Sequence, residues 1–178
     1  MAPPEPDSVA RELPAWLALM VDVDPSVEAA RQRIGRLSRL FTRMLDMVAA
    51  DQDMSLGDWE ALSVVVRAGG QCTPTLLAQE LALTSGTVST RLNRLTQAGL
   101  VTVVADADGR SRPVRITADG HRRWQEATAA RTRAERDLFH VLEPDQLDAF
   151  NSTLQTLLAH YETAFGEASR HDRTGRNN

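Results

Sequence analysis

The stretch from Thr73 to Ile116 constrains the fold more than any other part of this chain of 178 residues. Thr73 followed by Pro74 is typical of a helix start, and it opens a short apolar helix that we expect to end at Leu81. A second helix follows after a short turn, and Gly99 marks its end. Two runs of β-type residues then flank an Asp-Gly pair, which indicates a hairpin.

A short helix, a turn, a second helix and a hairpin come in the order of a winged helix-turn-helix, in which the second helix enters the major groove of DNA. With about 3.6 residues per turn, Val88, Leu92 and Leu95 share one side of that helix and form its buried edge. The opposite side carries small and polar residues: Gly86, Ser89, Thr90, Asn93, Arg94 and Gln97. An ordinary amphipathic surface helix is the alternative, and the hairpin that follows favours the DNA-binding interpretation.

Long helices are expected on both sides of this segment. Asp24-Pro25 is a helix start, and apolar residues then recur at spacings of three and four from Val27 to Val48. A helix over Val9–Met20 is expected before it and one over Leu56–Ala68 after it. Beyond the hairpin, helices are expected over Thr117–Leu142 and Pro144–Ala168, the last with a second apolar seam from Leu147 to Phe165. The chain is therefore predicted to be mainly α with a small β wing.

Charge is unevenly distributed along the chain. The whole chain carries a net charge of −4, yet the part from Thr84 to Arg123 contains seven arginines and three aspartates. A basic block in an acidic chain is typical of a phosphate-binding surface, although a solvated charged face has the same composition.

Several function classes lack support in the sequence. The longest apolar run, Leu13–Val21, is too short to cross a bilayer, and it lacks the cleavage site of a signal peptide. The four histidines show no metal-ligand spacing, and the chain has no phosphate-binding glycine loop and no nucleophile elbow. We expect a cytoplasmic protein with no membrane partner, no metal and no cofactor, and not an enzyme.

The helix-turn-helix and hairpin residues together resemble the MarR family of bacterial transcription regulators. The matching positions are Leu77, Ala78, Ser85, Gly86, Arg91, Arg94, Leu95, Gly99, Leu100, Val101, Asp108, Arg110, Thr117 and Gly120. The resemblance implies a homodimer whose N- and C-terminal helices form a dimerisation arm and whose two winged domains bind a pseudo-palindrome in double-stranded DNA. It also implies DNA contacts from the second helix and the wing: Ser85, Thr87, Ser89, Thr90, Arg94, Asp108, Arg110 and Arg112.

The N-terminal region is similar to the branch of that family with an extra helix that responds to urate and related small anions. The resemblance implies a ligand site from Trp16, Trp59, Glu60 and Arg91. Val103 stands where that branch has a second arginine, and the loss of a bidentate cation argues against urate itself. Arg91 flanks the buried edge of its helix, which suits either a ligand contact or an internal ion pair. Arg94 and Arg110 are expected to touch DNA and to line no pocket.

These interpretations divide the chain into five parts: a disordered tail (1–8), N-terminal helices for dimerisation and pocket cover (9–50), the winged helix-turn-helix (51–120), C-terminal dimerisation helices (121–168) and a frayed tail (169–178). The expected function is that of a ligand-responsive repressor, released from its operator by a small anionic or aromatic effector. Two alternatives stay open. The strand over Thr102–Val104 lacks basic residues, as in a winged module that binds proteins instead of DNA, and Cys72 offers a thiol-based redox mechanism.

Overall fold

The computed structural model describes residues 5–104 and 112–167. The described elements, in chain order, are α1 (Ser8–Leu17), α2 (Pro25–Ala50), α3 (Leu56–Arg67), β1 (Gln71–Cys72), α4 (Pro74–Glu80), α5 (Ser85–Gln97), β2 (Val101–Val103), β3 (Val114–Ile116), α6 (Ala118–Phe139) and α7 (Pro144–Phe165). They fall into two compact units that meet in sequence between Leu45 and Asp46, within α2. The fold is mainly helical with a small antiparallel sheet, as the sequence predicts.

Helices begin where the sequence provides a capping side chain. The carboxylate of Asp24 accepts hydrogen bonds from the backbone N–H groups of Ser26 and Val27 at the start of α2. The hydroxyls of Thr73 and Thr117 accept backbone N–H bonds in the same way at the starts of α4 and α6. These side chains satisfy donors that the first turn of a helix leaves unpaired, and the three predicted helix starts are confirmed.

The core of the second unit is built around α3. Ala61, Leu62 and Val65 on this helix have no exposed surface. α3 contacts α4, α5, α6 and the strands β1 and β3, so it supports both helices of the helix-turn-helix and the central strand of the sheet. The three strands are ordered β1-β3-β2, and both pairs are antiparallel.

Gly120, in the first turn of α6, packs closely against the backbone of Leu100, just after the end of α5. A Cβ atom at this position would lie 2.0 Å from the carbonyl oxygen of Leu100, which no side chain tolerates. The hydroxyl of Thr117 donates to the carbonyls of Gly99 and Leu100 at 2.7 and 3.2 Å. The threonine and the glycine, three residues apart, therefore fix the wing strands and α6 against the last turn of α5.

Five helices end earlier than predicted, α3 and α4 by one residue and three others by three residues. α1 ends at Leu17, α6 at Phe139 and α7 at Phe165, each earlier than predicted, because an apolar periodicity continues past the last helical hydrogen bond. Ser8 belongs to α1 and Asp7 is the N-cap of this helix, since the Asp7 carboxylate accepts the N–H of Ala10; Asp7 also pairs with Arg33. The predicted hairpin tip and the predicted C-terminal tail lie outside the described residues.

Large apolar side chains remain exposed along two helices. Within Pro144–Phe165 no residue is buried, and the exposed apolar residues are Leu154, Leu157, Leu158, Tyr161 and Phe165. In the N-terminal unit, Val27, Ile34 and Leu37 of the predicted α2 seam are exposed as well, and so is Leu40 beside it. Among the described helices, none combines the length and the apolar character that a membrane span requires.

Candidate nucleic-acid interface

The predicted DNA-facing side of α5 is exposed and consists of short hydroxyl side chains. Ser85, Thr87, Ser89 and Thr90 are all exposed, and Thr84 caps the helix by accepting the N–H of Thr87 at 3.3 Å. The hydroxyls of Ser89 and Thr90 donate to backbone carbonyls one turn earlier, at 2.9 and 3.1 Å. A hydroxyl that donates its one proton keeps its lone pairs as acceptors. This surface therefore combines acceptor oxygens with little side-chain bulk.

The opposite side of α5 fixes the rotation of the helix. Val88, Leu92 and Leu95 are 2%, 8% and 1% exposed, as their spacing predicts. Rotating the helix about its axis would expose these three apolar side chains to water, at a cost of about 25 cal/mol per Å² of apolar surface. The hydroxyl surface is consequently held outward by packing on the other side of the same helix.

Arg94 extends from the last turns of α5 to the first turn of α3. Its Nε and Nη2 atoms donate to Oδ1 of Asp58 at 3.1 and 2.5 Å, and Nη2 also donates to the hydroxyl of Ser55 at 3.2 Å. Ser55 is the N-cap of α3, and its hydroxyl donates to the other oxygen of Asp58 at 2.7 Å. The Asp58 side chain is only 9% exposed, whereas that of Arg94 is 55% exposed.

The expectation that Arg94 lines no pocket is wrong. Arg94 and Asp58 border an open cavity of about 580 Å³ together with Asp46, Asp53 and Ser55. Helix periodicity places Arg94 correctly on the polar side of α5, but it carries no information about a carboxylate 36 residues earlier in the chain. The long arginine side chain crosses to that carboxylate instead of extending straight into solvent.

Arg91 makes a second ion pair between α5 and α3. Its Nη1 atom lies 3.8 Å from a carboxylate oxygen of Glu60, and the two side chains are 16% and 12% exposed. Gly57 makes room for this arginine, because a Cβ there would lie 2.5 Å from Nη2 of Arg91. Of the two roles that the sequence left open for Arg91, the internal ion pair is the one present in this structure.

Ion pairs neutralise much of the basic block that the sequence shows. Besides Arg91 and Arg94, Arg122 pairs with Asp119 and with Glu126 at 2.9 Å, and Arg123 lies 3.5 Å from Asp53. Most of these carboxylates lie outside the segment from Thr84 to Arg123, so the net charge of the segment overstates the charge of the surface. Arg112 is exposed at the start of the strand region. Asp108 and Arg110 lie outside the described residues.

The two predicted ligand-site tryptophans lie in different units. Trp59 belongs to the second unit, where its indole N–H donates to the Thr128 hydroxyl at 3.1 Å and the guanidinium of Arg131 lies 4.9 Å from its ring centre. These contacts tie α3 to α6. Glu60 and Arg91, the other two predicted ligand residues, belong to the same unit as Trp59.

Trp16 belongs to the N-terminal unit. Its indole N–H donates to Glu28 at 3.0 Å, and its ring borders a cavity of about 400 Å³ that Arg31 and Arg36 also line. Glu28 is 6% exposed, and hydrogen bonds from Arg31 and Gln32 lower the pKa of its carboxyl group to about 2. Glu28 is therefore ionised, and it holds Trp16 and Arg31 in fixed positions around this cavity.

The environment of Cys72 does not favour thiol chemistry. The side chain is 5% exposed, and burial raises the pKa of the thiol to about 11. A reactive cysteine needs a thiolate at neutral pH and access to its oxidant. In residues 5–104 and 112–167, no group of three or more His, Cys, Asp or Glu side chains is arranged to hold a metal ion.

Three residues around the two α5 arginines, Ser55, Gly57 and Asp58, were not predicted from the sequence. Ser55 and Asp58 carry a recognisable signal, since a serine with an acidic residue three positions later is typical of a helix start. Gly57 carries none, because only the position of Arg91 in space reveals why a side chain would not fit there.

Comparison with known proteins agrees with this architecture. Residues 52–111 match the sequence model of the MarR family. The transcriptional regulator PecS from Dickeya dadantii is 26% identical over 129 residues, which cover 71% of this chain and 76% of PecS.

Solved structures with the same fold include one regulator bound to DNA and one bound to a small molecule. A mutant of MarR from E. coli complexed with operator DNA matches with a TM-score of 0.61 at 18% identity, covering 78% of this chain and 99% of that one. The organohalide-sensing regulator RdhR in its 2,4-dichlorophenol-bound form matches with a TM-score of 0.65 at 14% identity, covering 88% of this chain and 93% of that one. At these identities the structural likeness shows the fold, a winged helix-turn-helix with flanking helices.

Proposed function

We propose that this member of the MarR family of transcription regulators is a homodimeric repressor. It binds a pseudo-palindromic operator and releases it on binding a small molecule. It is a regulator and not an enzyme. Its partners in this proposal are double-stranded DNA, a second copy of the chain and a small anionic or aromatic effector, and its place of action is the cytoplasm, on the nucleoid.

The exposed hydroxyl surface of α5 is the observation that carries the DNA-binding proposal. Ser85 and Thr87 are exposed in the first turn of α5, Ser89 and Thr90 are exposed in the next turn, and none of them fills space in the core. Side chains this short let a helix backbone approach the edges of base pairs in the major groove, where acceptor oxygens meet the amino groups of adenine and cytosine. A helix whose polar side served only solubility would be expected to carry longer charged residues.

The wing completes the proposed interface. We assign Arg110 to the minor groove, with Asp108 supporting the wing and Arg112 beside a phosphate. Arg112 is exposed at the base of the wing, next to β3, which fits this assignment. A narrow minor groove concentrates negative potential and attracts arginine side chains.

The exposed apolar residues of α7 support the homodimer. Leu157, Leu158 and Tyr161 are 41%, 53% and 58% exposed in the single chain, close together on one helix. Contiguous apolar surface of this kind marks an interaction site in a soluble protein. A second copy that covers α7 with its own apolar helices would bury this surface.

The effector is proposed to act on the ion pair between Arg91 and Glu60. An anionic effector that bound the guanidinium of Arg91 would compete with Glu60 and loosen one link between α5 and α3. Such an effector shifts the protein away from DNA only by the difference between its affinities for the two conformations. Trp59, next to Glu60 in the chain, provides aromatic surface for a planar effector in this proposal.

A protein-binding module without DNA affinity is the second candidate function. Val103 on β2 is 50% exposed where DNA-binding relatives are expected to carry a basic residue, and several arginines of the basic block are paired with carboxylates. The redox alternative loses support, because Cys72 is buried and its pKa is raised.

Selection of DNA by the full-length protein separates these candidates. Duplexes enriched from a random library should share a pseudo-palindrome, and replacing Ser89 and Thr90 together by alanine should weaken binding to the enriched duplex by about 1–3 kcal/mol. Thr96→Ala, an exposed hydroxyl at the other end of α5, is the matched control and should change the affinity little. A wild-type protein that enriches no sequence would favour the protein-binding module.

A further inference from the structure

Asp58 determines which part of the Arg94 guanidinium faces outward. A guanidinium has five N–H donors: one on Nε and two on each of the terminal nitrogens. The Nε donor and the Nη2 donors are directed to Asp58 Oδ1 and to the hydroxyl of Ser55. Among the described residues, Nη1 has no hydrogen-bond acceptor, and the side chain is 55% exposed. A partner outside the chain can therefore bind only one nitrogen of the Arg94 guanidinium and not two.

This arrangement limits the chemistry of any DNA contact that Arg94 makes. An arginine that reads guanine uses two nitrogens side by side, one for O6 and one for N7 of the base. With Nη2 occupied by Asp58 and Ser55, that two-nitrogen contact is unavailable to Arg94. A single charged nitrogen remains well suited to one phosphate oxygen.

Asp58 is held rigidly enough to orient the arginine. Its backbone N–H and one of its carboxylate oxygens are both hydrogen-bonded to Ser55, at 3.1 and 2.7 Å, and its side chain is 9% exposed. The carboxylate also lies in the first turn of α3, where the helix dipole stabilises negative charge. The position of the Arg94 guanidinium is consequently set by α3 and not by the flexible arginine chain.

We infer that Asp58 is a positioning residue for DNA binding, which fixes Arg94 so that the arginine contacts one phosphate and reads no base. This inference rests on the proposed DNA-binding function and adds a division of labour to it. Arg94 sets the register of α5 on the DNA backbone, while sequence preference comes from the hydroxyl surface and the wing. Asp58 lowers the cost of binding, because a side chain already held in place loses little conformational freedom when the complex forms.

The test uses two duplexes and four variants of the full-length chain. One duplex is the sequence enriched from a random library by the wild-type protein, and the other has the same base composition in scrambled order. The variants are Arg94→Ala, Asp58→Asn, the double variant of both, and Glu80→Gln as the control. Glu80 carries a carboxylate of the same winged unit, and this carboxylate pairs with Arg67 of α3 at 3.7 Å. Urea unfolding confirms that each variant is folded.

Arg94→Ala should weaken binding to both duplexes by ~5- to 150-fold and lower the salt dependence of binding by about one phosphate contact. The base preference, measured by repeating the selection with this variant, should not change. Asp58→Asn should weaken binding to the enriched duplex by ~2- to 10-fold, the cost of ordering one long side chain. It should weaken binding to the scrambled duplex by a similar factor, because the phosphate contact that Asp58 positions does not depend on the base sequence. In the Asp58→Asn background, Arg94→Ala should cost less than in the wild type.

Three results would overturn the inference while leaving the proposed function intact. A changed base preference at one position in Arg94→Ala would show that this arginine reads a base. Tighter binding of Asp58→Asn to both duplexes would show that Asp58 only competes with DNA for Arg94. Strictly additive losses, or an equal loss in Glu80→Gln, would remove the positioning role. Failure of the wild type to enrich any sequence would instead refute the proposed function, and the inference with it.

Discussion

Replacing Gly120 by alanine should destabilise the winged unit, and the structure allows the size of the effect to be worked out. The new Cβ would lie 2.0 Å from the carbonyl oxygen of Leu100, 2.8 Å from its carbonyl carbon and 3.1 Å from a side-chain carbon of Ile116. Two of these atoms are backbone, so the clash cannot be relieved by a rotamer change. Overpacking of this kind costs roughly 2–3 kcal/mol.

Moving the Leu100 carbonyl would also weaken two hydrogen bonds. This oxygen accepts the N–H of Thr117 at 3.1 Å and its hydroxyl at 3.2 Å. Each bond contributes about 1 kcal/mol, and the helix propensity gained on going from glycine to alanine offsets about 1 kcal/mol. We therefore expect Gly120→Ala to lower the free energy of unfolding by about 2–4 kcal/mol.

Gly86→Ala is the matched control for this experiment. Gly86 also lies in the first turn of a helix, but a Cβ there would meet only the Thr84 hydroxyl, at 4.0 Å. This variant should gain about 0.5–1 kcal/mol from helix propensity and from the lower entropy of the unfolded chain. Urea unfolding followed by far-UV circular dichroism measures both. Equal stability of Gly120→Ala and the wild type would refute the argument that this glycine is required by a close backbone approach.

Three further predictions concern pH, the thiol and assembly. Arg31 and its neighbours lower the pKa of Glu28 to about 2. The stability that this carboxylate contributes is therefore complete above pH 4.5, the ordinary pKa of a glutamate, and is lost as the pH falls toward 2. The indole N–H resonance of Trp16, assigned with a Trp16→Phe variant, should shift over that range and not above pH 5. With its pKa raised to about 11, Cys72 should resist alkylation in the folded protein at neutral pH and react only in denaturant, and rapid labelling without denaturant would contradict the burial described here. Leu158→Asp should convert a dimer to a monomer in sedimentation equilibrium while Leu158→Met does not, and a dimer that persists in the aspartate variant would exclude this part of α7 from the interface.

Features that depend on neighbouring residues in the chain were predictable from the sequence. Thr73 and Thr117 start helices because a hydroxyl reaches the backbone N–H groups of the following turn, and both bonds are present. Val88, Leu92 and Leu95 are buried because helix geometry alone puts them on one side. The order of elements then leaves few folds to consider, which is why the winged helix-turn-helix could be predicted from the sequence alone.

Features that depend on contacts between distant segments were not predictable in the same way. The pairing of Arg94 with Asp58, and the cavity that both border, were not predicted because Asp58 lies within reach in space but 36 residues away in sequence. The net charge of a segment likewise gave no warning that Arg123 pairs with Asp53 on another part of the chain. Gly120 appears in the sequence only as a motif residue, and its reason, the carbonyl of Leu100, requires the folded backbone.

Hydroxyl-radical footprinting of the enriched duplex, with the full-length wild-type protein bound, tests the central claim most directly. A homodimer that places one α5 helix in each of two successive major grooves should protect two stretches whose centres lie about 10 bp apart on one side of the duplex. The protection should fade steeply as salt is raised, because arginine–phosphate contacts release counterions. A single protected stretch, no protection, or protection that is unchanged by salt would contradict the account of this chain as a dimeric DNA-binding regulator.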